Sequence, residues 1–204
     1  KLGGTTYIYG LAASGKTYFH FQLLLNLSKM YGLKHVVMSE EMGNHSDIFI
    51  ELLQMHVGQD FYNDYNNSMT DEQVKEGLKF IKSHFIIIDS ADVSLTVTDF
   101  FDYVNTLERV HNVKFHTTTI DPYNSLKNDS NDAYAGSLTL SQNLGYIRKD
   151  AVRNNRHNFV ITHGTKPTFI VEKQSKKRVP LPLAKEELEG GMMGSKKELN
   201  MIII

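Results

Sequence analysis

The segment 10–17 has the composition and spacing of a phosphate-binding loop. It reads Gly-Leu-Ala-Ala-Ser-Gly-Lys-Thr and fits the pattern G-x-x-x-x-G-K-[S/T]. Glycines let such a backbone turn tightly, so that its N–H groups converge on phosphate oxygens. The ammonium of Lys16 would reach the outer phosphates, and the hydroxyl of Thr17 would ligate Mg²⁺. The sequence therefore predicts a site for a nucleoside triphosphate and Mg²⁺, lined by Gly10, Ala12, Ala13, Ser14, Gly15, Lys16, Thr17 and Tyr18.

A magnesium site of this kind needs a carboxylate, and two predicted strands end in aspartate. Asp89 follows the more apolar strand. Asp121 precedes a Pro-Tyr-Asn turn, and ligands of open α/β sheets bind at the carboxyl ends of strands. Composition leaves both residues as candidates. Glu40 and Glu41 end another strand, where a carboxylate can orient and deprotonate an attacking water.

Strand and helix patterns alternate along the chain and must position these residues. Predicted strands cover 5–9, 35–38, 85–88, 113–120, 159–162 and 201–204, and a hairpin or mobile loop covers 169–185. Predicted helices cover 16–31, 46–56, 98–111 and 138–155, and one more begins at Thr70 with Gln73 at the capping-box position. Phe19, Leu23 and Leu27 are expected in the core. This alternation predicts an α/β fold with a mainly parallel, twisted sheet and helices on both faces.

Composition narrows the class of protein further. The chain has 204 residues and no Cys, which excludes cysteine nucleophiles, disulfides and thiolate zinc sites. No apolar run approaches the ~20 residues that span a bilayer, so we expect a soluble protein in a reducing compartment. We expect one domain over 1–204, without repeats or an interdomain linker. The chain begins at Lys1 rather than Met and ends in an apolar run, which indicates a fragment of a longer polypeptide.

Charge is distributed unevenly. Residues 1–142 hold 10 Lys and Arg against 17 Asp and Glu, whereas residues 143–204 hold 12 against 6. A basic end on a neutral protein suggests a polyanionic partner. Arg148, Lys149, Arg153 and Arg156 recur on the predicted helix 138–155 and are expected on a solvent or subunit-interface face. The histidines outside the motifs show no metal-ligand spacing, and we expect them at the surface or at helix ends.

Five segments in this order resemble one family. They are the loop 10–17, Ser-Glu-Glu-Met at 39–42, Ile-Asp-Pro-Tyr-Asn at 120–124, Ile-Thr-His-Gly-Thr-Lys at 161–166, and Gly190-Gly191 leading to 200–204. The set resembles the C-terminal ATPase domain of DnaB-type replicative helicases, in the manner of the phage and Twinkle-like hexameric primase-helicases. The run His116-Thr117-Thr118-Thr119 departs from the resemblance, because relatives are more aliphatic there.

The resemblance implies a RecA-like fold, a ring of usually six subunits, ATP between neighbouring subunits, and translocation on single-stranded DNA. It assigns the catalytic glutamate to Glu41, Mg²⁺ support to Asp121, and sensing of the terminal phosphate to His163. Asp89 becomes a structural or loop residue, and an arginine finger is expected just beyond Ile204. A primase domain or protein is an implied partner. The implied location is the cytoplasm of a bacterium or phage-infected cell, in preference to the mitochondrial matrix.

The resemblance also gives the basic end of the chain a role. Segment 166–185 carries six basic residues and one acid, with Lys173, Lys176, Lys177 and Arg178 crowded together. Phosphate contacts from such residues suit sequence-independent binding of single-stranded DNA. The leading hypothesis is an ATP-driven, ring-forming DNA helicase motor. The alternatives are a RecA- or KaiC-like recombinase or regulatory ATPase, and a nucleotide switch that binds a protein partner.

Overall fold

A parallel sheet organises the chain. In the computed structural model, residues 1–40, 45–62, 68–88, 95–126, 133–163, 169–171, 178–180 and 200–204 are described. The strands are β1 (Thr5–Gly10), β2 (His35–Ser39), β3 (Phe85–Ile88), β4 (Thr117–Asp121), β5 (His157–His163), β6 (Phe169–Val171), β7 (Arg178–Pro180) and β8 (Asn200–Ile203). Six of them form one sheet in the order β3-β2-β4-β5-β1-β8, with every neighbouring pair parallel. The predicted α/β class is confirmed.

Five α-helices accompany the sheet in the described part of the chain: α1 (Lys16–Tyr31), α2 (His45–Val57), α3 (Asp71–His84), α4 (Val97–His111) and α5 (Ala133–Arg153). Alternate strand residues face different helices, as the period of two requires. Ile8 belongs to the core that α1, α2 and α3 form, whereas Tyr7 and Tyr9 belong to the core that α4 and α5 form. No helix among the described residues is long and apolar enough to cross a membrane.

Local signals set several helix ends. Thr70 accepts a hydrogen bond from the N–H of Gln73, and the Gln73 side chain accepts one from the Thr70 N–H, so the predicted capping box is present. Thr96 and Asp99 form a second box at the start of α4. Gly32 ends α1 in the left-handed conformation, which a residue without Cβ adopts at little cost.

The sequence placed the start of β4 too early. We predicted a strand over 113–120, but β4 begins only at Thr117. The backbone N–H of Val113 instead donates to the carbonyl of Glu108, and that of Phe115 donates to the Glu108 side chain. These bonds hold the segment against the end of α4 until the chain enters the sheet.

Two helix predictions also need correction. The helix predicted over 138–155 begins earlier, at Ala133, and ends at Arg153 before Asn155, whose φ is +46°. In α1, Phe19 is 44% exposed rather than in the core, while Leu23 and Leu27 are partly buried. The helix faces the sheet instead through its fully buried residues Phe21, Leu24 and Leu25.

Candidate active site

The loop between β1 and α1 turns back on itself within residues 11–15. The N–H of Ser14 donates to the carbonyl of Leu11 at 3.2 Å, and both Ala13 (φ +60°) and Gly15 (φ +89°) adopt left-handed backbone conformations. Gly10 needs its lack of a side chain for a different reason. A methyl group there would collide with the carbonyl oxygen of Ile204 and lie 2.7 Å from the Ser14 hydroxyl.

The N-terminus of α1 has a positive electrostatic potential that no acidic side chain of its first turn offsets. Its N-cap residue is Gly15, which offers no side-chain acceptor, and its first turn contains no acidic residue. The helix dipole therefore points its positive end at the loop without a capping carboxylate. The buried side chain of Lys16 returns to the same place, where its Nζ donates to the carbonyls of Gly10 at 3.2 Å and Leu11 at 2.7 Å. Backbone dipole and ammonium converge on one rim, an arrangement suited to an anion.

Thr17 joins this loop to the end of β4. Its Oγ1 donates to Oδ2 of Asp121 at 2.8 Å, and both residues are buried. The hydroxyl of Ser39, at the end of β2, points at the same carboxylate oxygen from 3.4 Å. The Thr17 hydroxyl proton is thus directed at the Asp121 carboxylate.

The sheet order separates the two aspartate candidates. β4 is an inner strand with only β5 between it and β1, whereas β3, which leads to Asp89, is the edge strand. The contact with Thr17 is made by Asp121. Asp89 itself lies outside the described residues, so the geometry favours Asp121 on the evidence of its own contact.

The structure describes only part of the remaining predicted catalytic residues. Glu40 is exposed, and its backbone N–H donates to the carbonyl of Asp121 at 2.9 Å, which brings the chain after β2 beside the end of β4. Glu41 lies outside the described residues. His163 is the last residue of β5 and pairs with Gly10 in the sheet register. Tyr18 is half-exposed and lies beside Glu51 of α2. The pKa of its phenol is raised, first by partial burial and second by the nearby Glu51 carboxylate.

The predicted DNA-contacting residues fall mainly outside the description. Lys173, Lys176 and Lys177 lie beyond it, and Arg178 begins β7. β7 pairs antiparallel with β6, as the hairpin alternative for 169–185 requires.

One of the four arginines and lysines expected on a surface helix face is misassigned. Arg156 lies past the end of α5 and is fully buried, not exposed. Its guanidinium donates to both carboxylate oxygens of Asp150 and to the side-chain oxygen of Asn105. The ion pair with Asp150 joins the α5–β5 connection to α5, and the bond to Asn105 joins it to α4.

Two buried histidines correct the expectation that the unassigned histidines lie at the surface. His20 and His35 are both fully buried. Burial lowers the pKa of each to about 3, with His157 contributing for His20 and neighbouring histidines for His35. His20 shares a hydrogen bond with Thr119, and His35 with Thr117 and Ser28. The only sequence signal was the departure of the threonine run from an aliphatic strand.

The donor set tests whether Mg²⁺ suits this site. Hydroxyl and carboxylate oxygens are hard ligands, and Mg²⁺ is typically held by one or two carboxylates together with substrate phosphates. Within the part of the chain that the structure describes, no cluster of three or more His, Asp or Glu could hold a metal by itself. Thr17 and Asp121 therefore fit a magnesium ion that arrives with a phosphate ligand.

Solved structures of known proteins share this α/β fold. A DnaB-like replicative helicase, whose structure concerns its interactions with primase, matches 87% of this chain at 17% identity with a TM-score of 0.65. A second solved structure, of an ATPase domain, matches 93% of this chain at 17% identity with a TM-score of 0.69. The chain thus has the fold of a DnaB-type RecA-like ATPase domain.

A third solved structure belongs to a different kind of protein. A KaiC-like protein from the hyperthermophilic archaeon Pyrococcus horikoshii matches 79% of the chain at 19% identity with a TM-score of 0.50. The chain spans 43%, 65% and 62% of the lengths of these three structures. No protein-family model matches the sequence, and no curated protein matches it significantly.

Proposed function

We propose that this chain, as one RecA-like domain, is the ATP-hydrolysing motor of a ring-forming DNA helicase. The observation that carries the proposal is the hydrogen bond of 2.8 Å between Thr17 and Asp121. It joins a phosphate-loop pattern to a buried acid across an inserted strand, which a glycine-rich turn of merely structural use does not require. The likeness to helicase ATPase domains supports the motor, and the residues supply the chemistry.

The phosphate tail of ATP would lie in the loop 10–17. Backbone N–H groups of the loop and of the first turn of α1 would bind its oxygens, and Lys16 would exchange its bonds to the Gly10 and Leu11 carbonyls for bonds to the outer phosphates. Thr17 and Asp121 would hold Mg²⁺, which when bound supplies charge neutralisation for the phosphates.

Hydrolysis needs a group that orients water, and we assign that role to Glu41. The chain leaves β2 next to Asp121, because the Glu40 N–H donates to the Asp121 carbonyl, and Glu41 follows directly. His163 ends the strand that lies between β4 and β1, a position suited to sensing the terminal phosphate. An arginine from a neighbouring subunit would complete the site, so an isolated subunit should be a weak ATPase.

The proposed partners follow from the same assignment. Lys173, Lys176, Lys177 and Arg178 would contact the backbone of single-stranded DNA within a homo-oligomeric ring, which we propose to be hexameric. A primase would act beside it, in the cytoplasm of a bacterium or phage-infected cell. If the ring threads DNA, hydrolysis by the assembled protein should rise when single-stranded DNA is added. An unchanged rate in a purified hexamer would contradict DNA translocation.

A second function is favoured by the KaiC-like structural match. The same nucleotide site would then serve a recombinase-like filament or a regulatory ATPase. Electron micrographs distinguish the helicase from the recombinase-like protein, since the helicase requires closed rings and a recombinase forms open filaments. A nucleotide switch without DNA affinity would show no salt-dependent DNA binding in a titration.

The nucleotide site is tested by Lys16→Ala. Loss of a hydrogen-bonding charge should weaken ATP affinity about tenfold to a hundredfold. The fold should survive, because the Lys16 ammonium bonds to carbonyls of the loop itself. Lys29→Ala provides the matched control, since Lys29 lies at the exposed far end of the same helix and donates to the carbonyl of His56. A variant that melts with its ATP affinity intact would show that the site is misassigned.

A further inference from the structure

Helix α1 is bonded to strand β4 at successive points along one face of the sheet. The first is Thr17 to Asp121 at 2.8 Å, and the second is His20 Nε2 to Thr119 Oγ1, also at 2.8 Å. Both pairs are buried. The two helix residues are three apart and so share a face of α1, while the two strand residues are two apart and share a face of β4.

Residues of α1, β4 and β5 surround the His20 side chain. Its side chain is fully buried, its ring lies 4.6 Å from that of Phe159 on β5, and its bond to Thr119 is the hydrogen bond its ring makes within the described part of the chain. The proposed mechanism makes no use of this group. Burying a polar ring costs free energy, and one hydrogen bond offsets only part of that cost. The presence of a histidine at this buried position therefore calls for an explanation.

We propose that His20 is a positioning residue, which holds the first turn of α1 against β4 so that the Thr17 hydroxyl stays on Asp121 and can ligate Mg²⁺. This inference rests on the proposed nucleotide site. Thr119, two residues before the metal-supporting Asp121, has the same positioning role as the hydrogen-bond partner of His20. His20 acts only through Thr17 and touches neither nucleotide nor metal.

The physical reason is directionality. The hydrophobic effect is non-directional, whereas a hydrogen bond sets the distance between two particular atoms. Burial keeps the imidazole of His20 neutral, with its pKa at about 3, and its Nε2 shares one hydrogen bond with the Thr119 hydroxyl. With His20 bonded one turn further along, Thr17 keeps its register with Asp121. Neighbours that fix a metal ligand are typically worth 10–100-fold in metal affinity.

The same helix offers a matched control. Near its far end Ser28 Oγ lies 2.9 Å from Nε2 of His35, and Nδ1 of His35 lies 2.7 Å from the hydroxyl of Thr117. His35 is as buried as His20, and burial lowers its pKa to the same value of about 3. In the sheet register His35 pairs with Thr117, at the opposite end of β4 from Asp121. A merely structural role predicts equal effects at both positions.

The experiment measures nucleotide affinity in EDTA and in Mg²⁺, using ATP and a non-hydrolysable analogue, and takes the ratio of the two Kd values. The unfolding free energy of each variant is measured in parallel. The variants are His20→Leu, which removes the bond, His20→Gln, whose amide nitrogen can replace Nε2, and His35→Leu as the control. Thr119→Val removes the same bond from the other side at nearly constant volume, and it decides the outcome if His20→Leu does not fold.

We expect the Mg²⁺-dependent gain in affinity to fall about tenfold in His20→Leu and in Thr119→Val. His20→Gln should restore it, and His35→Leu should keep it despite a comparable loss of stability. An unchanged gain in both His20→Leu and Thr119→Val, or an equal fall in His35→Leu, would overturn the positioning role. If the unaltered protein binds no ATP at all, the proposed function itself fails, which is a different result from normal binding with an unaffected His20→Leu.

Discussion

Acid should destabilise this domain through its two buried imidazoles. His20 and His35 are fully buried within hydrogen-bonding pairs, and burial lowers the pKa of each from 6.5 to about 3. In the unfolded chain both return to ordinary values near 6.5. Between these limits the unfolded chain binds protons that the folded chain excludes. The free energy of unfolding therefore keeps its full value above about pH 6.5, where both histidines are neutral in either state, and it decreases as the pH falls towards 3.

The magnitude follows from the size of the shift. At pH 5, a pKa of about 3 in the folded chain against 6.5 in the unfolded chain costs about 2 kcal/mol for each histidine, or about 4 kcal/mol for the two together. A domain of ordinary stability has about 5–15 kcal/mol in total. Protonation of these two residues alone should thus remove a large part of it.

Urea unfolding at pH 7 and pH 5 measures this loss. Circular dichroism is the suitable signal, because the chain contains no Trp. The double variant His20→Gln/His35→Gln keeps every carboxylate but lacks both imidazoles, so its stability should change about 4 kcal/mol less between the two pH values. Equal pH dependence in the unaltered protein and the double variant would refute the reasoning.

Three further predictions test other parts of the structure. Gly10→Ala should lower both nucleotide affinity and stability, the latter by about 1–3 kcal/mol, because its methyl would collide with the Ile204 carbonyl; calorimetry and urea unfolding measure the two losses. Thr70→Ala should cost about 1 kcal/mol in urea unfolding with ATP affinity unchanged, because it removes only the cap of α3. Arg156→Met should cost about 3–5 kcal/mol in the same assay by leaving Asp150 charged and buried, and a loss below about 1 kcal/mol would show that the pair is dispensable.

The sequence predicted the features that depend on neighbours in the chain. The loop pattern, the alternation of strands and helices, and the capping box at Thr70 all arise from residues within a few positions of one another. The sheet was predicted as parallel because each strand is followed by a helix that returns the chain. Its strand order, with β4 inside and β3 at the edge, depends on long-range packing that spacing does not reveal.

The same limit explains the errors. Arg156 follows three basic residues at helical spacing, so it was predicted on their exposed face. Its partner Asp150 lies only six residues away, but the chain has already left α5 and turned inwards by then. The choice between Asp89 and Asp121 was open for a similar reason, since strand composition does not say which strand lies nearer to the phosphate loop.

The threonine run of β4 explains how the sheet holds helices on both of its faces. Thr117 and Thr119 face one way and bond to His35 and His20, while Thr118 faces the other way and donates to Asn158 at 2.7 Å. Asn158 in turn donates to Asp150, the partner of the buried Arg156. An aliphatic strand would pack as well but would leave the rotation of each helix to shape alone. Thr119 bonds directly to α1, Thr117 is linked to α1 through His35 of β2 and Ser28, and Thr118 is linked to α5 through Asn158 of β5. The strand that ends in Asp121 is therefore connected to the helix layers on both faces of the sheet.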